Sequence, residues 1–519
     1  MAPRHPKRAN TSMNCKKQWE TIGLHPHHGI QVPLFSLHTK SSCGIGEFLD
    51  LLPLIDWCKS VGFDVIEILP INDTGDDKSP YNPLSSCALD PVHLSLASLP
   101  GGPSIEPFAP FQPLQRLAYA EIKRLKLTWL YEYYQKSFPT LSTQPEYQQF
   151  LKTSPWLSEY ALFLAIRSEY GGKNWKDWPP ALQTYNETEI DARKTQVDFH
   201  RFVQYLCYSQ MSQVKAYANT NNVFLKGDLP ILISPDSVDV WAHRSLFCLD
   251  LDAGAPPDYY NRLGQHWGFP LFHWDVMRKN HYAWWKRRLA SYEPFFHIYR
   301  IDHVVGFFRI WGIPKGKKPT EGSFIPEDST HWMPQGREIL QMMIDSSPLL
   351  PMAEDLGVVP PTVTTLLHTL GICTMKVLRW QRTPGQGYLP LSQYEPFSLS
   401  TLSTPDMDLL QVWWKKFPEE AIPFAHFKQW DYHPDLTPEQ RKEILTDLHA
   451  SSSLFHINLL QEYLALFPDL VWPNPEDERI NIPGTLLPTN WTYRLRRPLE
   501  TLLAHQPLRN ALREILQSH

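Results

Sequence analysis

Short apolar runs alternate with helical patterns along most of the chain, and this alternation constrains the fold more than any other feature of the sequence. Strand–helix alternation is typical of a parallel sheet covered by helices. Seven or more such units favour a closed barrel over an open sheet, so we predict an α/β fold, a (β/α)8 TIM barrel. The predicted strands are Gly29–Leu37, Phe63–Pro70, Val223–Asp228, Phe296–Asp302, Leu349–Glu354, Met375–Trp380 and Ser398–Leu402.

The predicted strands are unevenly spaced, which indicates large insertions between them. About 150 residues separate the second strand from the third, and their pattern is helical. Insertions on the strand-to-helix loops of a barrel lie on its catalytic face and build a cleft there. We predict a polar N-terminal tail at 1–28 and a catalytic barrel at 29–519, with insertions at about 72–196, 232–275, 306–336 and 417–468. Taken together, the inserted subdomains are predicted to be large and mainly helical.

Charge and cysteine content exclude several classes of function. The net charge is −5, from 49 basic and 54 acidic residues, so no excess of positive charge is available for a nucleic acid. The seven cysteines include no Cys-x-x-Cys pair, the N-terminus lacks the apolar stretch of a signal peptide, and no apolar run reaches about 18 residues. We therefore predict a soluble cytoplasmic protein that binds neither membranes nor nucleic acid. The sequence does not indicate an oligomeric state.

Three carboxylates lie at or just beyond the ends of predicted strands: Asp302, Glu354 and Asp406. A barrel brings such strand ends together at one mouth. Two carboxylates that face a glycosidic bond can provide a nucleophile and a general acid/base. Arg300 lies two residues before Asp302 on the same strand face, which predicts a lowered pKa for Asp302. The acid/base would instead need a raised pKa.

Each of these residues also has a structural interpretation, and the residues alone leave both interpretations open. Arg300 and Asp302 can form an ion pair that only stabilises the fold. Asp355 can cap the helix that follows it, which would leave Glu354 merely exposed. Asp406 precedes a helical pattern and can be its N-cap.

No motif for a metal ion or an organic cofactor is present. His25, His27 and His28 cluster in the polar tail, but no spaced carboxylate or cysteine completes a metal site. Gly44-Ile-Gly46 is half of a dinucleotide-binding fingerprint and lacks its third glycine. We therefore predict no metal and no cofactor.

Longer motifs carry a family resemblance over roughly 29–497. They include SSCGIGEFLDLLPLIDW from Ser41, SPYNPLSSCALDP from Ser79, PPDYYNRLGQHWGFPLFHW from Pro256, RIDHVVGFFRIW from Arg300 and AEDLGVVP from Ala353. With these motifs the chain resembles the 4-α-glucanotransferases, or amylomaltases, of glycoside hydrolase family 77. The segment from Met375, MKVLRWQRTPGQGYLPLSQYEPFSLSTLS, resembles the plant-type cytosolic branch in particular. That branch carries N-terminal starch-binding modules, and we identify none in this sequence.

The resemblance implies a retaining, double-displacement mechanism on α-1,4-glucans such as maltose, malto-oligosaccharides and glycogen, without a metal or cofactor. It implies that Asp302 is the nucleophile, Glu354 the acid/base, and Asp406 the third carboxylate, which binds and distorts the sugar ring. Tyr81 would stack on that ring. The substrate-binding residues that the resemblance implies are Tyr81, Asp228, Gln265, Trp267, Arg300, His303 and Asn481.

One departure from the family pattern lies beside the third carboxylate. The family reads Thr-His-Asp, and this chain reads Thr404-Pro405-Asp406. Proline cannot donate the imidazole hydrogen bond, which is worth about 0.5–1.5 kcal/mol, or up to about 3 if a buried partner is orphaned. This predicts an enzyme that is about 3- to 100-fold slower. Asp408 is an alternative third carboxylate, and a residue within Tyr388–Tyr394 could compensate for Pro405.

Two alternatives to glucan transfer stay open. One is a retaining α-glucan hydrolase, which differs only in accepting water. The other is a glucan-binding protein without catalytic activity, which the presence of Asp302, Glu354 and Asp406 disfavours because a binding protein needs no nucleophile and acid together.

Overall fold

The computed structural model describes residues 14–257, 262–383 and 387–517. Within them, eight parallel strands form one sheet in the order sixth, seventh, eighth, first, second, third, fourth, fifth. A parallel bridge between Met352 and Cys373 joins the fifth strand to the start of the sixth and completes the barrel. The predicted (β/α)8 barrel is confirmed. Its strands are, in chain order, His27–Gln31, Val65–Glu67, Phe224–Leu229, Ile298–Ile301, Leu350–Ala353, Thr374–Val377, Ser398–Thr401 and Phe455–Leu459.

Helices cover the outside of the barrel and turn their apolar residues inward. In Pro361–Leu370, a proline at the first position favours the start of the helix, and Gly371, with φ 81°, ends it in the left-handed region. No helix in the described ranges is long and apolar enough to cross a membrane. The helices are Lys16–Ile22, Leu51–Val61, Tyr119–Leu141, Pro145–Thr153, Trp156–Glu169, Glu189–Ala192, Lys194–Asn221, Val238–Ala242, Trp274–Lys279, Ala283–Tyr292, Trp332–Ser346, Pro361–Leu370, Leu410–Lys416, Pro418–Phe427, Pro438–His449, Leu460–Leu464, Leu499–Ala504 and Gln506–Gln517.

Helices Tyr119–Leu141, Pro145–Thr153 and Trp156–Glu169 lie within the first predicted insertion, between the second and third barrel strands. A buried ion pair attaches the first of them to the mouth of the barrel, because Lys123 Nζ lies 2.7 Å from Asp73 Oδ1 and 3.0 Å from Asp90 Oδ1. This helical layer is therefore fixed against the loop that follows the second strand.

The predicted intervals 232–275 and 306–336 differ from a mainly helical insertion. Together they form a four-stranded antiparallel sheet beside the barrel mouth. Two of the three strand pairings lie within one interval, and only that of Phe247–Ala255 with Ile310–Pro314 joins the two intervals. The expectation of mainly helical insertions overlooked the alternation Leu249-Asp250-Leu251-Asp252, which is a strand signal. Residues 258–261 of the first interval lie outside the described ranges. The four strands are Phe247–Ala255, Gln265–Phe272, Ile310–Pro314 and Ser323–Ile325.

Two boundaries also differ from the prediction. The interval 417–468 contains the eighth barrel strand, so only its first part is an insertion. The interval 1–28 contains a helix whose Trp19 is buried and donates from Nε1 to the Gly371 carbonyl, 2.8 Å away. His27 and His28 belong to the first barrel strand.

The described residues include no cluster of His, Cys, Asp or Glu side chains arranged to hold a metal ion. The first thirteen residues of the predicted tail lie outside the described ranges.

Candidate active site

The carboxyl ends of the barrel strands bring the predicted site together. Asp302 directly follows the fourth strand, Glu354 the fifth, and Asp406 lies five residues beyond the seventh. They line one cavity of about 320 Å³ at the mouth of the barrel. Eight of the ten predicted site residues line this cavity: Tyr81, Gln265, Trp267, Asp302, His303, Glu354, Asp406 and Asn481.

The other two predicted residues, Arg300 and Asp228, lie beneath the cavity. One guanidinium nitrogen of Arg300 lies 2.8 and 2.9 Å from the two carboxylate oxygens of Asp228 and 3.0 Å from Asp302 Oδ1. The second nitrogen lies 3.7 Å from Glu354 Oε2. One positive charge therefore holds three carboxylates together, and the Arg300–Asp302 ion pair is part of the site.

The pKa predicted for Asp302 is wrong in direction. Burial raises the pKa of Asp302 above its usual value, Arg300 lowers it and Glu354 raises it again. The sequence shows the arginine but not the burial, nor the fact that Asp228 shares the same guanidinium. Asp302 therefore takes up a proton at a higher pH than an exposed aspartate does.

Backbone hydrogen bonds fix the side chain of Glu354 at the cavity. Its Oε2 accepts from the His303 amide at 2.9 Å, and its Oε1 accepts from the Leu356 amide at 2.6 Å. His303 takes a left-handed conformation with φ 45°, an uncommon one for a side chain other than glycine. Asp355 does not cap the next helix, because its Oδ1 accepts from the Met375 amide. Glu354 is thus a positioned group and not merely an exposed one.

Asp406, and not Asp408, faces the cavity. Asp406 Oδ1 accepts a hydrogen bond of 2.6 Å from the Asn481 amide group. Asp408 is buried in ion pairs with Arg479 and Lys416. The helix that follows begins at Leu410 with Leu409 as its N-cap, so Asp406 has no capping role. The geometry favours Asp406 as the third carboxylate.

Pro405 is buried and does not line the cavity. Its carbonyl accepts from the Asn481 backbone amide at 3.2 Å, so Asn481 holds both residues of the Pro405-Asp406 pair. Tyr388 does not compensate for the missing histidine, because its hydroxyl contacts Arg382 and the Glu420 carbonyl. Residues 384–386, within the quoted plant-type motif, lie outside the described ranges.

Aromatic rings form the walls of the cavity. The Tyr81 hydroxyl donates to Asp228 Oδ2 at 2.6 Å, and its ring centroid lies 5.4 Å from that of Trp491. The Trp267 ring meets the His303 ring edge to face at 5.2 Å. Asp228 is only 1% exposed, so it positions Tyr81 instead of lining the cavity.

Sequence reasoning missed several residues that line the cavity, among them Ile231, Phe269 and Trp491. Trp491 lies in the segment NWTYRLR from Asn490, to which the sequence analysis assigned no role. Its left-handed backbone, φ 59°, is a property of the folded loop. A tryptophan flanked by polar residues is the one local signal that could have identified it.

Comparisons with known proteins identify the family of the chain. The model of the 4-alpha-glucanotransferase family, glycoside hydrolase family 77, matches residues 32–500. A 4-alpha-glucanotransferase from Chlamydia caviae is 46% identical over 504 residues, 95% of this chain and 94% of that protein. The rice protein named 4-alpha-glucanotransferase DPE2 is 26% identical, over 94% of this chain and 69% of that protein.

A solved structure shares the fold. The amylomaltase from Streptococcus agalactiae in complex with acarbose superposes on this chain with a TM-score of 0.82 and 24% identity. The match covers 95% of this chain and 99% of that one, so it includes the barrel and its insertions together.

Proposed function

The chain belongs to the 4-alpha-glucanotransferase family, glycoside hydrolase family 77, and is a glucan-transferring enzyme; from this premise we propose that Asp302 and Glu354 carry out transfer by a retaining double displacement. The observation that carries this proposal is the placement of both carboxylates at one cavity, in contact with the same Arg300 guanidinium. A nucleophile and an acid/base on the two sides of a glycosidic bond are the groups that this chemistry needs.

In the first step, a carboxylate oxygen of Asp302 attacks the anomeric carbon of the donor sugar. The bond from that carbon to the glycosidic oxygen breaks, and Glu354 gives its proton to the leaving oxygen. This forms a β-glycosyl ester on Asp302. In the second step, an acceptor hydroxyl attacks the same carbon while Glu354 takes its proton, and the ester bond breaks. Two inversions give net retention.

Asp406 and Tyr81 would hold the donor sugar during both steps. Asn481 fixes Asp406 through the 2.6 Å hydrogen bond, so the carboxylate is oriented before a sugar binds. Asp228 fixes Tyr81 through its hydroxyl, which leaves the ring face available for stacking. Gln265 and Trp267 also line the cavity, and the family resemblance implies that they contact the acceptor.

We propose maltose, malto-oligosaccharides and glycogen as the substrates, and the cytoplasm as the location. The substrate class follows from the family. The location is supported by the seven cysteines, none of which forms a disulfide in the described structure.

Chain-length analysis after incubation with maltotriose, and separately with maltose plus glycogen, tests the proposed function. Transfer predicts longer oligosaccharides together with glucose, and none with Asp302→Asn. Asp431→Asn, at an exposed aspartate away from the cavity, is the matched control and should behave like the unaltered enzyme. Glucose without longer chains would instead indicate a hydrolase. Bound glycogen without any product would indicate a binding protein.

A further inference from the structure

A second cavity adjoins the catalytic one. Its volume is about 650 Å³, and it shares the side chains of Trp267, Phe269 and Trp491 with the catalytic cavity. It adjoins Trp267, to which the proposed function assigns contact with the acceptor.

One wall of this second cavity is the loop 482–490. Asn490 braces the loop from within, because its side chain accepts from the Ile482 amide at 3.2 Å and donates to the Thr485 carbonyl at 3.0 Å. The tip is open to solvent, and Leu486 is fully exposed there. Internal bonds thus give the loop a shape but do not fix its tip against the rest of the molecule.

Lys78 connects the loop 482–490 to the opposite wall of the second cavity. Its ammonium group donates to the Pro488 carbonyl at 2.6 Å and to the Leu487 carbonyl at 3.3 Å. Among the described residues, no other side chain from outside the 482–492 segment hydrogen-bonds to the loop 482–490. The turn that carries Lys78 is itself ordered, because Asp77 accepts from the Ser79 amide at 2.9 Å and from the Asn82 side chain at 2.7 Å.

We propose that Lys78 is a positioning residue that fixes the loop 482–490 along the acceptor side and thereby sets the ratio of glucan transfer to hydrolysis. The proposal rests on the function proposed above. A fixed wall lets an acceptor sugar fill the space beside the glycosyl-enzyme and displace water from it. A loop that Lys78 no longer holds leaves that space open to water. The rate of hydrolysis then rises relative to the rate of transfer, while the rate of donor cleavage stays the same.

Lys78→Met tests the proposal, since methionine keeps the length of the side chain but removes the ammonium donor. With maltotriose, we expect the ratio of longer oligosaccharides to net hydrolysis to fall about 2- to 10-fold, the range for one lost hydrogen bond. The KM for added glucose as acceptor should rise by a similar factor. The rate of cleavage of an α-maltotriosyl fluoride donor should change less than about twofold.

Two lysine variants serve as controls. Lys78→Arg keeps a charged donor and should keep the ratio. Lys59→Met removes another lysine hydrogen bond, to Asn221 on the outside of the barrel, and should leave every parameter unchanged. Pro488→Gly, at an exposed position in the loop, should lower the ratio of transfer to hydrolysis independently, because glycine loosens the loop. This variant tests the proposal even if the Lys78→Met protein does not fold.

The proposal is overturned if the Lys78→Met enzyme folds and keeps the ratio and acceptor KM of the unaltered enzyme. It is also overturned if donor cleavage, transfer and hydrolysis all fall in equal proportion, because that result indicates a general structural role. Unaltered enzyme that makes no longer oligosaccharides would contradict the proposed function itself, which separates the two failures.

Discussion

Arg300 contacts Asp228, Asp302 and Glu354 with one guanidinium group, and its charge therefore opposes the effect of burial on Asp302. In Arg300→Gln this opposing charge is lost, so the pKa of Asp302 rises further. Because Asp302, the proposed nucleophile, must be ionised to attack, the acid limb of the kcat/KM profile for maltotriose should move to higher pH by about 1 unit or more.

The control for this prediction is Arg300→Lys, which keeps the charge and should shift the acid limb less. Both variants should be slower than the unaltered enzyme at every pH, so the position of the limb and not the maximal rate is the relevant quantity. A limb that stays in place or moves to lower pH in Arg300→Gln would contradict the role given to Arg300.

Tyr81 combines a ring face at the cavity with a hydroxyl that hydrogen-bonds to the buried Asp228. Tyr81→Phe should lower the free energy of unfolding by about 1–3 kcal/mol, because a buried carboxylate loses a donor. It should leave the KM for maltotriose within about threefold. Tyr81→Ala also removes the ring and should raise that KM about 10-fold. Denaturant unfolding and steady-state kinetics separate the two effects, and equal KM values in both variants would exclude stacking on Tyr81.

Among the structural elements, the antiparallel sheet beside the mouth brings Gln265 and Trp267 to the cavity. Its strands approach closely at Gly254, where a Cβ would lie 2.1 Å from the Gln265 carbonyl oxygen. Gly254→Ala should force the strands apart and shift both side chains, so the KM for the acceptor should rise about 10-fold while donor cleavage changes little. Acceptor kinetics with glucose measure this.

Ser323→Ala, at an exposed position on the edge strand of the same sheet, is the matched control and should leave the acceptor KM unchanged. If Gly254→Ala had an unchanged acceptor KM, the sheet would not position the acceptor side.

The sequence predicted most of the barrel strands, whose signal is local, and did not predict how strands of the insertions pair. Seven of the eight barrel strands follow from apolar runs, and the eighth, Phe455–Leu459, was hidden in an interval predicted as helical. The antiparallel sheet was missed although Leu249-Asp250-Leu251-Asp252 alternates as a strand does, and its one pairing between two insertions, Phe247–Ala255 with Ile310–Pro314, has no local signal. Asp302, Glu354 and Asp406 could be placed together because the ends of barrel strands always meet at one mouth. The burial that raises the pKa of Asp302 is a property of the fold and could not be predicted.

For the whole molecule, the barrel and its insertions bury almost every cysteine. Six of the seven thiols are buried and only Cys248 is partly exposed. Burial raises the pKa of Cys15 and of Cys43 to about 12, which keeps both thiols protonated and unreactive. In the native protein, no more than one thiol should react readily with Ellman's reagent, and all seven should react in denaturant. Dithiothreitol should not change the melting temperature.

Rapid reaction of several thiols in the native state would contradict the burial of the cysteines. Fewer than seven reactive thiols in denaturant, without added reductant, would contradict the reduced state on which the proposed location depends.

In the proposed mechanism, Asp302 forms the covalent glycosyl-enzyme and Glu354 resolves it. The most direct test is mass spectrometry of Glu354→Gln after incubation with α-maltotriosyl fluoride, whose fluoride leaves without a proton from Glu354. The ester then accumulates, because no base activates the acceptor. We predict one maltotriosyl adduct, located by peptide sequencing at Asp302 and absent in the double variant with Asp302→Asn. An adduct on another residue, or release of fluoride by Glu354→Gln without any adduct, would contradict the account.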